Sequence, residues 1–361
     1  MNTVKAAPVL LSRERLNAHH PIRAVLMNSG CANACTGSRG LHDAEQCARW
    51  AAHGLGIKTN SILLASTGVI GTFLPLILMR KGIRKLTSLV RHAQEGATEG
   101  PWEAAGAIMT TDTQRKVASV QSIIGGARGT FWGCAKGSGM IHPKMATMLS
   151  VILTDANASA GFMKECLLES VEQTFNRVSV DGETSTNDTV FILANGTAGN
   201  DRITSAKSHG AMDFSRSILE ICQRLSRSVA ADGEGASKSI WIFIEGARTQ
   251  QEAARFAEAV AVSPLVKTAV GGADANWGRI MGALGKTLIP FDPSRVEIRL
   301  GDVPVCRKGI EVAFSPKTIK NILAQKHVTI RVLMNQGKGW SHYQTCDFTG
   351  KYVDINAGYR S

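Results

Sequence analysis

Nine short segments of this sequence are rich in β-branched residues and bounded by glycine, asparagine or aspartate, and several follow one another with no helix between them. Such segments predict strands. Consecutive strands favour antiparallel pairing, because a parallel crossover needs a dozen or more residues. We therefore expect an α+β fold of layered, largely antiparallel sheets covered by helices. The predicted strands are residues 23–27, 61–65, 117–124, 148–153, 189–194, 239–245, 296–300, 328–333 and 352–355.

Six longer stretches carry apolar residues at helical spacing and predict helices over residues 41–53, 74–91, 159–175, 213–231, 250–262 and 277–284. The fourth is the clearest, with Phe214, Ile218 and Leu225 on one face behind Asp213 as a predicted cap. With 361 residues and 44% hydrophobic residues, the chain is long and apolar enough to bury a sizeable core. The 19% of charged residues argues against a disordered chain.

The positive charge is concentrated in the first part of the chain. Residues 1–146 hold 17 Lys and Arg against 7 Asp and Glu, whereas residues 147–361 hold 24 against 22. A basic half is typical of nucleic-acid or membrane-surface binding. Its densest cluster, Arg80, Lys81, Arg84 and Lys85, lacks interleaved aromatic residues and favours a solvated helix face instead. We expect no nucleic-acid partner, and the basic half suits small anionic substrates.

The eight cysteines contain no Cys-x-x-Cys pair, and Cys31, Cys35, His42 and Cys47 do not match a zinc-ligand spacing. We expect reduced thiols, no metal and no cofactor. The sequence shows no leader peptide and no apolar run of about 20 residues. These features predict a cytoplasmic protein with no membrane partner.

One segment has the chemistry of a latent nucleophile. A glycine-rich loop from Cys134 runs into an apolar strand, with an Ala146–Thr147 bond at the junction. If that bond is cut, Thr147 gains an α-amine with a pKa of about 7.7 to 8.0, which can serve as base for its own hydroxyl. From spacing alone, an ordinary strand that follows a loop is the better interpretation.

Two further loops are candidates for the same site. Thr67 and Gly68 end a predicted strand, where a hydroxyl and a backbone N–H could converge as an oxyanion hole. A strand-ending turn is an equally good interpretation. Residues 180–189 contain three carboxylates, but their spacing does not fit a calcium loop, and a self-hydrogen-bonded supporting loop is favoured over a metal site.

Taken together, the motifs resemble the ornithine acetyltransferase family, the glutamate N-acetyltransferases of arginine biosynthesis. The matching stretches appear in the family's order and cover nearly the whole chain. They are residues 28–37, 66–71, 109–113, 135–149, 180–196, 232–238, 263–267, 276–279 and 345–357.

This resemblance implies self-cleavage between Ala146 and Thr147, giving an N-terminal chain (1–146) and a C-terminal chain (147–361) that stay associated, two of each in a heterotetramer. It implies that Thr147 takes the acetyl group of N-acetylornithine as an ester, releases ornithine and passes the acetyl group to glutamate in a ping-pong scheme. Thr67 and Gly68 match the family's oxyanion pair. The positions that match its substrate contacts are Thr110, Lys136, Thr147, Glu234, Asn356 and Ser361.

We expect Lys136 to bind a substrate carboxylate and Glu234 to bind an amino group, since each supplies the opposite charge. The sequence departs from the family pattern at Cys31 and Lys144, where Asn is common. It does not determine whether acetyl-CoA is also a donor. Two alternatives stay open: an N-terminal-nucleophile hydrolase, such as a deacetylase or aminopeptidase, and a non-catalytic basic binding module.

Overall fold

The computed structural model describes residues 2–92, 99–142 and 148–358. The strands are β1 (Ala24–Asn28), β2 (Ile62–Ser66), β3 (Lys116–Ile124), β4 (Ala127–Lys136), β5 (Leu149–Thr154), β6 (Thr189–Ala194), β7 (Ser239–Ala247), β8 (Glu297–Leu300), β9 (Val303–Arg307), β10 (Ile310–Glu311), β11 (His327–Leu333) and β12 (Gly339–Cys346). The helices are α1 (Ala7–Asn17), α2 (Gly37–Leu55), α3 (Leu76–Arg91), α4 (Glu99–Ala107), α5 (Ala160–Gln173), α6 (Ala211–Ala231), α7 (Gln250–Ala261), α8 (Pro264–Gly271), α9 (Trp277–Gly285), α10 (Pro316–Leu323) and α11 (Gly350–Gly358).

Three sheets form within the described ranges. Strands β1 and β2 form a parallel pair, the second sheet has the order β3-β4-β5-β6, and the third has the order β10-β9-β8-β11-β7-β12. Six of the nine pairings among these described strands are antiparallel. The predicted α+β fold of largely antiparallel sheets is therefore confirmed.

Strand β5 is apolar on both faces because both faces are covered. Leu149 and Val151 pack against Leu63 of the β1–β2 pair, whereas Ile152 packs in the cluster that contains Phe214 of α6. This two-sided burial explains why the sequence here reads as a continuous apolar run rather than an alternating one. It also fixes the start of β5 rigidly inside the molecule.

The β1–β2 pair lies between the four-stranded sheet and a helical layer. Its other face carries Ile62 and Leu64, which pack with Ala48 of α2 and Ile83 of α3. With α5 and α6 on the far side of the four-stranded sheet, the order of layers is helix, sheet, sheet, helix.

The six-stranded sheet has its own core. Ile242 and Ile330 on its central strands pack with Phe256 of α7, Leu284 of α9 and Ile319 of α10. No helix in the described ranges is both long enough and apolar enough to cross a bilayer.

Most predicted elements match the structure, with two corrections. Strand β6 coincides with the prediction, whereas α6 begins at Ala211 after Gly210 (φ +79°) rather than at Asp213. The predicted strand at 352–355 is wrong, because these residues lie within helix α11.

Three neighbouring strands bring their ends together at one edge of the four-stranded sheet. In the register of the sheet, Lys136 at the end of β4 pairs with Leu149 at the start of β5. Leu149 in turn pairs with Thr189 at the start of β6. The loops that leave or enter these strands therefore meet at this edge, and a cavity opens there.

Candidate active site

A cavity of about 120 Å³ lies where the ends of β2, β4 and β6 meet α11. Six residues predicted from the sequence line it, namely Thr67, Gly68, Thr110, Lys136, Glu234 and Asn356. Three other predicted site residues, Ala146, Thr147 and Ser361, lie outside the described residues, as does Lys144. The structure thus brings together residues from both parts of the chain, before and after position 147.

Gly68 lines the cavity at a backbone position that requires glycine. Its φ is +126°, and a Cβ atom at this position would lie 2.3 Å from the carbonyl carbon of Gly30, so only glycine fits. Within the described ranges the Gly68 N–H has no hydrogen-bond acceptor. A lining N–H without a partner is a donor ready for a ligand oxygen.

Thr67, the residue before Gly68, also lines the cavity. Its hydroxyl oxygen accepts a hydrogen bond from Lys136 Nζ at 3.2 Å. Because the oxygen already accepts, the hydroxyl proton is directed elsewhere, and it reaches no acceptor among the described residues. Two consecutive residues of the lining, Thr67 and Gly68, thus each have a donor that is unused among the described residues, and two such donors can stabilise a developing oxyanion.

Lys136 is a buried cation in the wall of the cavity, only 2% exposed. Its Nζ donates to the hydroxyl oxygens of Thr67 (3.2 Å) and Thr110 (2.8 Å). Burial lowers the pKa of Lys136, while the Asp112 and Glu234 carboxylates oppose this shift. An ammonium has three N–H donors. The described residues use two of them, so one remains for a ligand.

A buried Asp–Lys–Asp cluster holds the segments around Lys136. Asp112 accepts from the backbone N–H groups of Gly137 (2.7 Å) and Thr110 (3.1 Å) and from Lys116 Nζ (2.6 Å). Lys116 also donates to Asp232. Burial alone would raise the pKa of Asp112, but Lys116 and Lys136 outweigh it and hold that pKa below its usual value. This cluster ties Lys136 to the segment that precedes Glu234.

Glu234 is the anionic counterpart at the cavity, 9% exposed. Its Oε1 accepts from the Thr111 hydroxyl at 2.6 Å, and its Oε2 accepts from Asn356 Nδ2 at 2.8 Å. A Cβ atom on Gly139 would lie 2.3 Å from the Glu234 carboxyl carbon, so this approach also requires glycine. A cation and an anion in one small cavity suit a ligand that carries both charges.

The loop at 180–189 holds neighbouring segments of the cavity wall by hydrogen bonds, in line with the supporting role that the sequence predicted. Asp181 accepts from the backbone N–H groups of Met140 (2.5 Å) and Ile141 (2.9 Å). Asn187 Nδ2 donates to the carbonyl oxygens of Ala32 (2.7 Å) and Ser66 (2.8 Å). The loop therefore fixes both the segment that leads toward position 147 and the turn that carries Thr67.

Several lining residues were not predicted individually, among them Thr111, Asp181, Asn187 and Tyr352. A signal was present for the first three, because each lies within a stretch dense in hydroxyl, amide and carboxylate side chains. Cys31 is buried and donates its S–H to the Thr72 carbonyl (3.4 Å), so it packs away from the cavity. No group of three or more His, Cys, Asp or Glu side chains converges as metal ligands in the described ranges.

Comparisons with known proteins agree with the family resemblance. A sequence model of the ArgJ family matches residues 1–361. The "Arginine biosynthesis bifunctional protein ArgJ" of Symbiobacterium thermophilum is 45% identical over 360 residues, covering 100% of this chain and 88% of that protein. The protein with the same description from Desulfotalea psychrophila is 46% identical over 359 residues, covering 99% and 89%. The crystal structure of the ArgJ protein from Bacillus halodurans has a TM-score of 0.55 and 37% identity, covering 57% of this chain and 96% of that one.

Proposed function

The chain belongs to the ArgJ family, and from this premise we propose how its cavity carries out acetyl transfer in arginine biosynthesis. The protein is an acyltransferase. The observation that carries the proposal is the cavity itself, where two unengaged donors at Thr67 and Gly68 adjoin the cation of Lys136 and the anion of Glu234. An acyl carbonyl oxygen and a charged amino acid can thus be bound together.

We propose that the donor is N-acetylornithine and the acceptor is glutamate. The free N–H of Lys136 binds the substrate α-carboxylate, since a charge-assisted hydrogen bond to a carboxylate is among the stronger polar contacts. Glu234 binds the side-chain ammonium of ornithine. Its two oxygens already accept from Thr111 and Asn356, so the carboxylate is held in place before substrate arrives.

The proposed nucleophile is Thr147. The chain reaches β5 two residues later, at Leu149, which pairs with Lys136 across the sheet. The Thr147 hydroxyl oxygen attacks the acetyl carbon and its proton passes to the α-amine of the same residue. The C–N bond of acetylornithine then breaks, and ornithine leaves with that proton. In the second half-reaction the glutamate amine attacks the ester, and Thr147 regains its hydroxyl proton.

This chemistry requires the α-amine of Thr147 to be free, so we propose self-cleavage after Ala146. The same hydroxyl attacks the Ala146 carbonyl carbon, the acyl group moves from nitrogen to oxygen, and water hydrolyses the ester. The products are chains 1–146 and 147–361. They remain associated because β4 and β5, on either side of the break, share a sheet, and we propose two copies of each chain in the assembly.

The proposed reaction needs no metal or other cofactor, since Thr147 is nucleophile, base and acyl carrier. Acetyl-CoA is a second donor to be tested.

We place the protein in the cytoplasm, because all eight cysteines are unpaired, which suits a reducing compartment. Membership in an acyltransferase family argues against the non-catalytic binding module.

The experiment separates transferase from hydrolase. Purified protein is run on a denaturing gel, and the masses of its fragments are determined by mass spectrometry. In a second assay, acetylornithine is supplied with and without glutamate, and N-acetylglutamate and acetate are measured. We expect two fragments that divide before Thr147, and N-acetylglutamate formation that exceeds acetate release. Acetate release that is independent of glutamate would favour the hydrolase instead.

Thr147→Ala tests the nucleophile, and Thr154→Ala at the other end of β5 is its matched control. Thr154 Oγ1 accepts only the local Ala156 N–H at 3.1 Å among the described residues. We expect Thr147→Ala to stay in one piece and to transfer nothing, while Thr154→Ala is cleaved and active. An uncleaved wild-type protein that transfers acetyl groups would rule out the N-terminal threonine mechanism.

A further inference from the structure

A second cavity, of about 240 Å³, lies where the end of α6 meets strands β7, β11 and β12 of the six-stranded sheet. Ser239 and Trp241 of β7 are among the residues that line it. They alternate along the strand with Ile240 and Ile242, whose side chains belong to the core of that sheet. The second cavity therefore opens on the other face of the sheet, and no described residue lines both it and the first cavity.

Arg227 supplies a cation at the second cavity. It lies exposed near the end of α6, and its guanidinium carbon is 5.2 Å from the centroid of the Trp241 ring. Among residues 2–92, 99–142 and 148–358 the guanidinium has no ion-pair or hydrogen-bond partner. No Asp or Glu is among the described residues that line this cavity. Its charge therefore favours an anionic ligand and disfavours a cationic one.

Gln344 adds a buried side chain that has no hydrogen-bond partner. It pairs with Trp241 between β12 and β7, so the two side chains leave the sheet on the same face, where both line the second cavity. Gln344 is 4% exposed, and its carboxamide makes no hydrogen bond within the described part of the chain. Because an unpaired buried amide costs free energy, a ligand that supplies the missing partner is stabilised here.

The remaining wall is an oriented aromatic ring and a polar pair. The Trp241 ring stacks on Phe243, with centroids 5.9 Å apart and planes 10° apart, so its orientation is fixed. Ser239 Oγ lies 2.7 Å from His327 Nδ1, and these two atoms are engaged with each other. The unengaged polar groups at the second cavity thus include the Arg227 guanidinium and the Gln344 carboxamide, beside an aromatic surface.

We propose that the second cavity binds a small carboxylate whose planar, unsaturated part lies against Trp241. The carboxylate accepts from the guanidinium of Arg227, a rigid fork of N–H donors that matches its two oxygens, and from the NH₂ group of Gln344. The planar part stacks on the indole. The volume of about 240 Å³ lies below the roughly 300–1,000 Å³ of pockets that hold drug-sized ligands, so the ligand is small. Binding here is independent of the proposed acetyl transfer.

Benzoate is the probe, because it carries one carboxylate on one planar ring. Ligand-observed NMR titrations of the purified protein use benzoate, inorganic phosphate and benzylamine in parallel. We expect saturable binding of benzoate, at least about tenfold weaker binding of phosphate, which has no ring to stack, and no binding of the cationic benzylamine. Absence of saturable benzoate binding would overturn the proposal. Phosphate or benzylamine bound as tightly as benzoate would overturn the assignment to a planar carboxylate.

Arg227→Met removes the cation from an exposed position, and Arg216→Met is its matched control. Arg216 is also exposed on α6 but does not line the second cavity. We expect the Kd for benzoate to rise at least about tenfold in Arg227→Met, as for a hydrogen bond to a charged group, and to match wild type in Arg216→Met. Acetyl transfer should match wild type in both variants. An unchanged Kd in Arg227→Met would overturn the proposal, because benzoate would then bind elsewhere, for example beside Lys136.

Gln344→Met tests the buried carboxamide, since methionine has the same length and no N–H donor. We expect the Kd for benzoate to rise about threefold to tenfold, as for a neutral hydrogen bond. The midpoint of thermal unfolding should not fall, because the lost amide has no partner inside the described protein. Wild-type affinity for benzoate in this variant would remove Gln344 from the site, and a marked fall in thermal stability would show that its amide serves the fold instead.

Discussion

The ammonium nitrogen of Lys136 lies 3.2 Å from the hydroxyl oxygen of Thr67 and donates a hydrogen bond to it. This contact joins two tasks that the sequence assigned to separate segments. In the function proposed above, Lys136 supplies charge for a substrate carboxylate, and by donating to the Thr67 oxygen it leaves the Thr67 hydroxyl proton for the oxyanion. In that proposal, binding of the substrate carboxylate and stabilisation of the oxyanion are linked through this one hydrogen bond.

Lys136→Met should weaken substrate use strongly. The variant keeps the length of the side chain but removes the charge and the donor to Thr67. A hydrogen bond to a charged group contributes about 1.5–3 kcal/mol, so we expect kcat/KM for acetylornithine to fall by roughly 10- to 150-fold. Steady-state kinetics measure this. Lys164→Met, an exposed lysine on α5, should leave it unchanged; unaltered acetylornithine affinity in Lys136→Met would remove Lys136 from the binding role.

Substrate binding should weaken in alkali earlier than an ordinary lysine would allow. Burial lowers the pKa of Lys136 from 10.5, and only its charged form binds a carboxylate well. KM for acetylornithine should therefore rise with pH below 10.5. The lowered pKa affects the free energy of unfolding in the opposite direction. Between the lowered pKa and 10.5, Lys136 binds its proton more fully in the unfolded chain than in the folded one. The contribution of Lys136 to the unfolding free energy should rise with pH in that window, and a Lys136→Met background should lack both trends.

The sequence predicted the elements whose signal is local. Strand β6, for example, follows from its β-branched composition and the polar residues that bound it. Residues 352–355 carry tyrosine, valine and isoleucine, which favour strands, yet they form part of α11. Tyr352 stacks on Phe348, four positions earlier, with ring centroids 4.7 Å apart. A side-chain pair at this spacing stabilises a helical turn, and here the helix prevails over the strand preference of the individual residues.

Site residues that lie in a recognisable sequence motif could be predicted, whereas those that meet only in the folded chain could not. Thr67, Gly68 and Lys136 lie in recognisable segments. Lys116 and Asp232 are 116 positions apart and meet only because β3 and the end of α6 come together. A buried ion pair of this kind has no periodicity or spacing in the sequence, so nothing short of the tertiary structure could have identified it.

Gly68→Ala should lose catalysis beyond any loss of stability. The added methyl group would lie 2.3 Å from the Gly30 carbonyl carbon and would displace the N–H donor. Loss of one oxyanion donor typically costs 10²- to 10³-fold in kcat. Gly71→Ala is the control, since Gly71 also has positive φ (+82°) but its added methyl group meets nothing within 4 Å. We expect both variants to be destabilised, as judged by thermal unfolding, and only Gly68→Ala to lose transfer. Equal kcat in the two variants would exclude an oxyanion role for Gly68.

Lys116→Met should destabilise the protein more than a typical core substitution. The Lys116 side chain is fully buried between Asp112 and Asp232, and its removal leaves two buried carboxylates without their shared cation. Breaking a buried ion pair in this way costs about 3–5 kcal/mol, which urea unfolding measures. Since Asp112 also accepts from the Gly137 N–H beside Lys136, transfer should fall in the fraction that remains folded.

The triple variant Lys116→Met, Asp112→Asn, Asp232→Asn removes all three charges and should recover part of the lost stability. A triple variant less stable than Lys116→Met alone would show that the carboxylates stabilise the fold through their backbone contacts rather than through Lys116.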